Sequence, residues 1–225
     1  MQDLIQIAGI IDLAEAKMLM EEGTDYLGFP LRLPVNKEDL SEDEAAEVIK
    51  KIALPHKAVL ITYLDNTEEI ISFCDKLNVS IVQLHGKISK DELVKTKQLR
   101  PQLEIIKSLV VRDNNFNELQ YTVDTLSEWI DAYITDTFDP VTGASGATGK
   151  THDWSISRRL VELSPKPVII AGVLNPENVK RAILETRPAG VDVHTGVESS
   201  DSRKSPELVR KFILESKEGF AAIHK

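Results

Sequence analysis

Short, almost continuously apolar runs alternate with longer amphipathic runs along the whole chain. Eight short runs read as strands: Leu4–Ala8, Tyr26–Phe29, Ala58–Tyr63, Ser80–Leu84, Leu103–Ser108, Ala132–Asp136, Val168–Ala171 and Gly190–Val193. Runs that are apolar at nearly every position suit strands covered on both faces of a parallel sheet. Helical spacing shows between them. Leu13–Glu22 sets Leu13, Ala16, Leu19 and Met20 on one face. Ser41 with Glu44, ahead of Ala45–Ile52, and Ser89 with Glu92 each have the capping-box pattern, and Asn66 opens Thr67–Leu77. Asn175-Pro176 and Ser205-Pro206 each pair an N-cap residue with proline at the first helical position.

Eight strand–helix units fill the chain without remainder, which predicts one α/β domain, a single (β/α)8 TIM barrel over residues 1–225. A doubly wound open sheet is the competitor, but the first turn lacks its G-x-G-x-x-G fingerprint. No Gly- or Ser-rich linker divides the chain. The net charge of −9 makes nucleic acid a poor partner. No run approaches the ~18 consecutive apolar residues of a membrane span, and the N-terminus lacks a basic stretch followed by an apolar run. A cytoplasmic protein, monomer or homodimer, is the expectation. The one cysteine, Cys74, allows no internal disulfide and reads as a buried small hydrophobe.

In such a barrel the site lies on the loops after the strands. The longest is Asp136–Thr151, and a flexible lid over a small ligand is its preferred reading. Its Gly149-Lys150-Thr151 resembles the end of a P-loop, but that motif needs a glycine at position 144, where this chain has Ala. Asp136 closes an apolar strand, so it is a candidate general acid or base, with a cap or loop ion pair as the plain alternative. Gly172 and Gly196 follow the last two strands, where barrels of this kind frequently hold phosphate; tight turns alone also explain them. Lys107 and His85 are placed at strand ends, Lys107 as a charge lining the mouth, and His56 and His224 on the surface.

These motifs together resemble the phosphoribosylanthranilate isomerase family. Gln6-Ile-Ala-Gly-Ile10, Asp25-Tyr-Leu-Gly-Phe29, Val82-Gln-Leu-His-Gly86, Ile134-Thr-Asp-Thr137, Gly149-Lys-Thr-His-Asp-Trp154, Leu174-Asn-Pro-Glu-Asn-Val179 and Val191-Asp-Val-His-Thr-Gly-Val-Glu198 are similar to its motifs, in order and nearly end to end. The resemblance implies an Amadori-type isomerisation of a phosphoribosyl amine in tryptophan biosynthesis, with no metal or organic cofactor. A carboxylate protonates the furanose oxygen and opens the ring; a cysteine then removes the C2 proton. The carboxylate maps to Asp136 and the cysteine to Ala8, which has no proton to exchange. Substrate and phosphate contacts map to Gly9, Arg32, Gln83, Gly149, Lys150, Gly172, Asp192, Thr195 and Gly196. Two further departures lie at the expected phosphate cup. The family's Gly-Gly is Gly172-Val173, and its serine is His194. His152 stands for an aromatic residue and is expected to pack beside Trp154. Three readings stay open: the family reaction; a redirected barrel in which His194 is the new base for another phosphorylated small molecule; and a phosphometabolite binder without turnover.

Overall fold

The computed structural model describes residues 1–34, 38–112, 114–137 and 154–224. Eight parallel strands close into a barrel in sequence order. They are β1 (Leu4–Ala8), β2 (Tyr26–Pro30), β3 (Lys57–Thr62), β4 (Ile81–Leu84), β5 (Glu104–Val111), β6 (Ala132–Thr137), β7 (Val168–Ile170) and β8 (Gly190–Val193). Helices α1 (Leu13–Glu22), α2 (Glu42–Ile49), α3 (Thr67–Leu77), α4 (Lys90–Leu99), α5 (Phe116–Leu126), α6 (Trp154–Leu163), α7 (Val179–Thr186) and α8 (Pro206–Ile223) cover it. The TIM-barrel expectation therefore holds.

The apolar runs serve two cores. Ile5, Ile7, Leu27, Leu60, Val82, Ile105 and Tyr133 face the helices. Leu4, Ala8, Tyr26, Val59, Ile61, Ile81, Ile106, Ala132, Ile134, Ile169 and Ala171 fill the barrel. Alternation along β1 puts Gln6 between Leu4 and Ala8 on the inner face. By the same period Gln83, Asp136 and Asp192 point inward from β4, β6 and β8.

Local signals mostly deliver. Ser41 and Glu44 form the full capping box, and α2 starts at Glu42 and stops at Ile49. Ser89 caps α4, but the Glu92 carboxylate turns to the Thr67 amide (2.8 Å) and Lys95 (2.9 Å) instead of closing a box. Ser205-Pro206 opens α8 as expected. Asn175-Pro176 does not open α7. The Asn175 side chain accepts from the Glu177 amide at 2.8 Å, an Asx turn, and the helix starts after Asn178, at Val179. The β5 strand continues past Ser108 to Val111, so Lys107 sits in mid-strand. His56 is half-buried, with Nδ1 2.7 Å from the Thr24 carbonyl, whereas His224 is exposed beside Asp3. Cys74 is buried in α3, and burial pushes its thiol up to about 12. No helix is long and apolar enough to cross a membrane among the described residues.

Candidate active site

Asp136 lies near the end of β6, buried. Its Oδ1 accepts the Thr137 amide at 2.7 Å, and its Oδ2 lies 3.4 Å from His85 Nε2. His85 follows β4 and stacks on Tyr63, centroids 5.3 Å apart. Gln83 Nε2 is 3.2 Å from the same imidazole nitrogen, and Gln83 Oε1 accepts from Gln6 Nε2 at 2.9 Å. A buried polar chain thus runs Gln6–Gln83–His85–Asp136 across the mouth.

Its polarity can be worked out. Gln6 occupies the Gln83 oxygen, so Gln83 donates its N–H to His85 Nε2. That nitrogen carries the lone pair and Nδ1 carries the hydrogen. Burial, then the charge of Lys107, pushes His85 down to about 4, so the ring is neutral. A neutral ring offers Asp136 Oδ2 no cation that would favour its ionised form. Burial agrees: it drives Asp136 up to about 7, aided by the charge of Asp192 and opposed by the Thr137 N–H. The site holds an aspartic acid ready to donate near neutrality.

Asp192 stands on β8 beside Gln6 in the β1–β8 register. Burial raises it to about 7, against the Gln6 hydrogen bond and the charge of Lys204. Its Oδ1 and Gln6 Oε1 are shut off from water without partners. His194 follows β8. Its ring rests on Gly9, where an added Cβ would lie 2.0 Å from Nε2. The same nitrogen is 3.6 Å from Glu198 Oε1, which is 2.6 Å from the buried Lys204 ammonium. Burial and then Lys204 push His194 down to about 4, leaving it neutral. The Lys204 amide donates to Glu15 Oε1 and the Ile11 amide to Glu15 Oε2, tying the loop after β1 to the segment before α8.

The loops after β7 and β8 meet at Gly196. Gly172 (φ 93°) and Val173 (φ 57°) are consecutive left-handed residues. The second is costly for a β-branched side chain, of order 1–3 kcal/mol. Asn178 holds that turn by donating to the Val173 carbonyl at 2.8 Å. Val173→Gly is expected to raise the urea midpoint. The strain relieved exceeds the ~0.5–1 kcal/mol that glycine loses through its freer unfolded chain. A lowered midpoint would show that Val173 packing outweighs the strain.

Other expected site residues fall elsewhere. Arg32 is not gathered with them. Its guanidinium pairs with Glu42 at 2.8 Å and lies 3.9 Å over the Phe73 ring, toward α2 and α3. Lys107 shares the register of Leu84 and Tyr133, both in the core facing the helices, so it does not line the mouth as expected from a strand end. Its ammonium donates to the Leu84 (3.2 Å) and Ser108 (3.0 Å) carbonyls, and burial pushes it down to about 8. Gly149, Lys150 and His152, with the lid expected over 136–151, lie outside the described residues beyond Thr137. Sequence reasoning missed Gln6, Glu15, Glu198 and Lys204 as parts of the site's frame. Gln6 alone carried a signal, a polar residue inside an apolar strand. No group of three or more His, Cys, Asp or Glu is arranged to hold a metal ion among the described residues.

Comparison with known proteins accounts for this arrangement. A family model described as N-(5'-phosphoribosyl)anthranilate (PRA) isomerase matches residues 5–215. N-(5'-phosphoribosyl)anthranilate isomerase 2 of Methanosarcina mazei is 33% identical over 217 residues, covering 96% of this chain and 95% of that protein. The isomerase of Aquifex aeolicus is 34% identical, covering 95% and 98%. The crystal structure of the Thermotoga maritima enzyme superposes with a TM-score of 0.81 at 28% identity, covering 97% of this chain and all of that one. A phosphoribosylanthranilate isomerase bound to reduced 1-(o-carboxyphenylamino)-1-deoxyribulose 5-phosphate gives 0.78 at 25%, covering 97% of this chain. With the barrel, the inward carboxyl on β6 and this end-to-end match agreeing, the chain belongs to the phosphoribosylanthranilate isomerase family.

Proposed function

We propose that this protein isomerises N-(5'-phosphoribosyl)anthranilate to the 1-amino-1-deoxyketose phosphate, with Asp136 as the general acid. The observation that carries the reading is the Asp136 carboxyl itself. It is buried in the mouth, with a backbone N–H on one oxygen and the neutral His85 ring 3.4 Å from the other. Such a group delivers a proton to a ring oxygen at neutral pH and becomes a carboxylate that the Thr137 amide stabilises. The Gly172–Val173 turn and the Thr195–Gly196 loop hold the phosphate, and Gly149 and Lys150 are its further contacts by resemblance to the family. Gln83 and Asp192 bound the ribose side, and Gly9 gives the His194 ring room. No cofactor enters. The partner is a phosphorylated small molecule of the cytoplasm, where phosphoribosyl compounds are made. The protein acts alone or as a homodimer, as the Thermotoga relative, described as dimeric, does.

A tryptophan auxotroph lacking this isomerase is expected to grow when the chain is expressed, and the purified protein to quench the fluorescence of phosphoribosylanthranilate formed in situ. Soluble expression with neither growth nor quenching would remove this substrate and favour the non-catalytic binder.

A further inference from the structure

The reading above leaves the C2 proton without an acceptor, because Ala8 fills the place of the thiol. We propose that Asp192 accepts that proton, so that two inward carboxyls, Asp136 and Asp192, run the isomerisation as an acid–base pair. This rests on the isomerase reading. Three observations on the fold carry it.

The first is position. Asp192 is the register neighbour of Gln6, and Ala8 is the next inward residue along β1. A carboxylate on β8 therefore flanks the Ala8 position from the adjoining strand. The second is unused capacity. Asp192 Oδ1 is buried and has no hydrogen-bond partner, so a lone pair is free. The third is the division of protons between the two carboxyls. Asp136 faces the neutral ring of His85, which gives its carboxylate no cationic partner. Asp192 faces the Gln6 amide and the positive field of Lys204, which favour its ionised form. Burial raises both into the neutral range, and the charge of Asp192 raises Asp136 further, so Asp192 ionised keeps Asp136 the acid.

The steps balance. Asp136 gives its proton to the ring oxygen as the C1–O bond breaks and the nitrogen lone pair forms the iminium. Asp192 takes the C2 proton; the C–H pair becomes the C1=C2 bond and the iminium pair returns to nitrogen. Asp192 then returns its proton to C1 while Asp136 recovers one from the C2 hydroxyl, giving the ketone and restoring both groups.

His194 is the rival. Its Nε2 lies against Gly9, the residue after Ala8, and 3.6 Å from Glu198 Oε1. A rescue experiment separates the two. In the fluorescence assay, Asp192→Asn is expected to slow turnover about 10²–10⁴-fold. Adding Ala8→Cys should restore at least tenfold of that loss and move the rising limb of the pH–rate profile toward the ~8.5 of a thiol. The same Ala8→Cys should not restore Asp136→Asn. Asp192→Ala with added formate is the second route, and acceleration by formate supports the base role.

Wild-type rates in Asp192→Asn overturn the proposal. So does a loss that neither Ala8→Cys nor formate repairs, which marks Asp192 as a binding residue only. Rescue of His194→Gln by Ala8→Cys without rescue of Asp192→Asn moves the base to His194. An inactive wild type removes the isomerase reading itself, an outcome distinct from all of these.

Discussion

Asp136→Asn is expected to lower kcat about 10²–10⁴-fold and, at the same time, to stabilise the fold at alkaline pH. The activity loss follows from chemistry. Asparagine keeps the shape and can accept the Thr137 N–H, but it has no proton to give a ring oxygen. The stability gain follows from linkage. Burial raises the carboxyl from 3.8 to about 7. A raised acid contributes stability in its protonated form. That contribution is complete below the unfolded value and is lost as pH climbs through the folded one. Wild type should therefore lose stability between roughly pH 4 and 7 through this group. A neutral asparagine does not titrate and skips that loss. Thermal unfolding of both proteins at pH 5 and pH 8 checks it. The Tm advantage of Asp136→Asn should be larger at pH 8. An equal Tm difference at both values would mean that the folded carboxyl is not raised above its unfolded value. Unchanged kcat would place the acid elsewhere.

The barrel was legible because strand periodicity and helix caps are local. Leu13–Glu22 and Thr67–Leu77 match their helices end to end, since each has an N-cap side chain and a left-handed C-cap, Gly23 or Asn78, within the same stretch. The start of α7 was misread because an asparagine before proline also makes an Asx turn, and only the packed loop decides between the two. Asp136 was legible as a charge at the end of an apolar strand. What stands around it was not. Gln6 and Gln83 are 77 positions apart, and nothing local shows that they share a hydrogen bond. Asp192 read as a family contact. Its hydrogen bond with Gln6 exists only because the barrel closes β8 against β1. Lys107 reads as a mouth residue because the apolar run suggests a strand end at Ser108, three residues short of the observed Val111, and parity on the strand turns it outward. Arg32 shows the same limit. A basic residue in a mouth loop suggests an anion, yet Glu42 and Phe73 claim its guanidinium first.

Gly196→Ala is the second large effect, and it tests the phosphate cup without touching the acid. A Cβ at this position would lie 1.9 Å from the Leu174 carbonyl oxygen, 2.9 Å from its carbon and 3.1 Å from Val193 Cγ2. Two of these atoms are backbone, so no side-chain rotation relieves the clash. The loops after β7 and β8 must part by about 1.5 Å before contacts become ordinary. The cost in stability is about 1–3 kcal/mol, as for an overpacked core position. Catalysis suffers more, because a misplacement of ~1 Å in a positioning loop can cost ~10²-fold. On the proposed role of these loops in binding the phosphate rather than the reacting atoms, most of the loss should fall on KM, with the pH dependence set by Asp136 unchanged. Steady-state kinetics across pH, with a urea melt of the same variant, reads both quantities. An unchanged KM would separate Gly196 from phosphate binding and leave it as a packing glycine between two loops. A changed pH limb would show that the loops after β7 and β8 reach the carboxyl through the neighbouring Asp192, whose charge already raises Asp136.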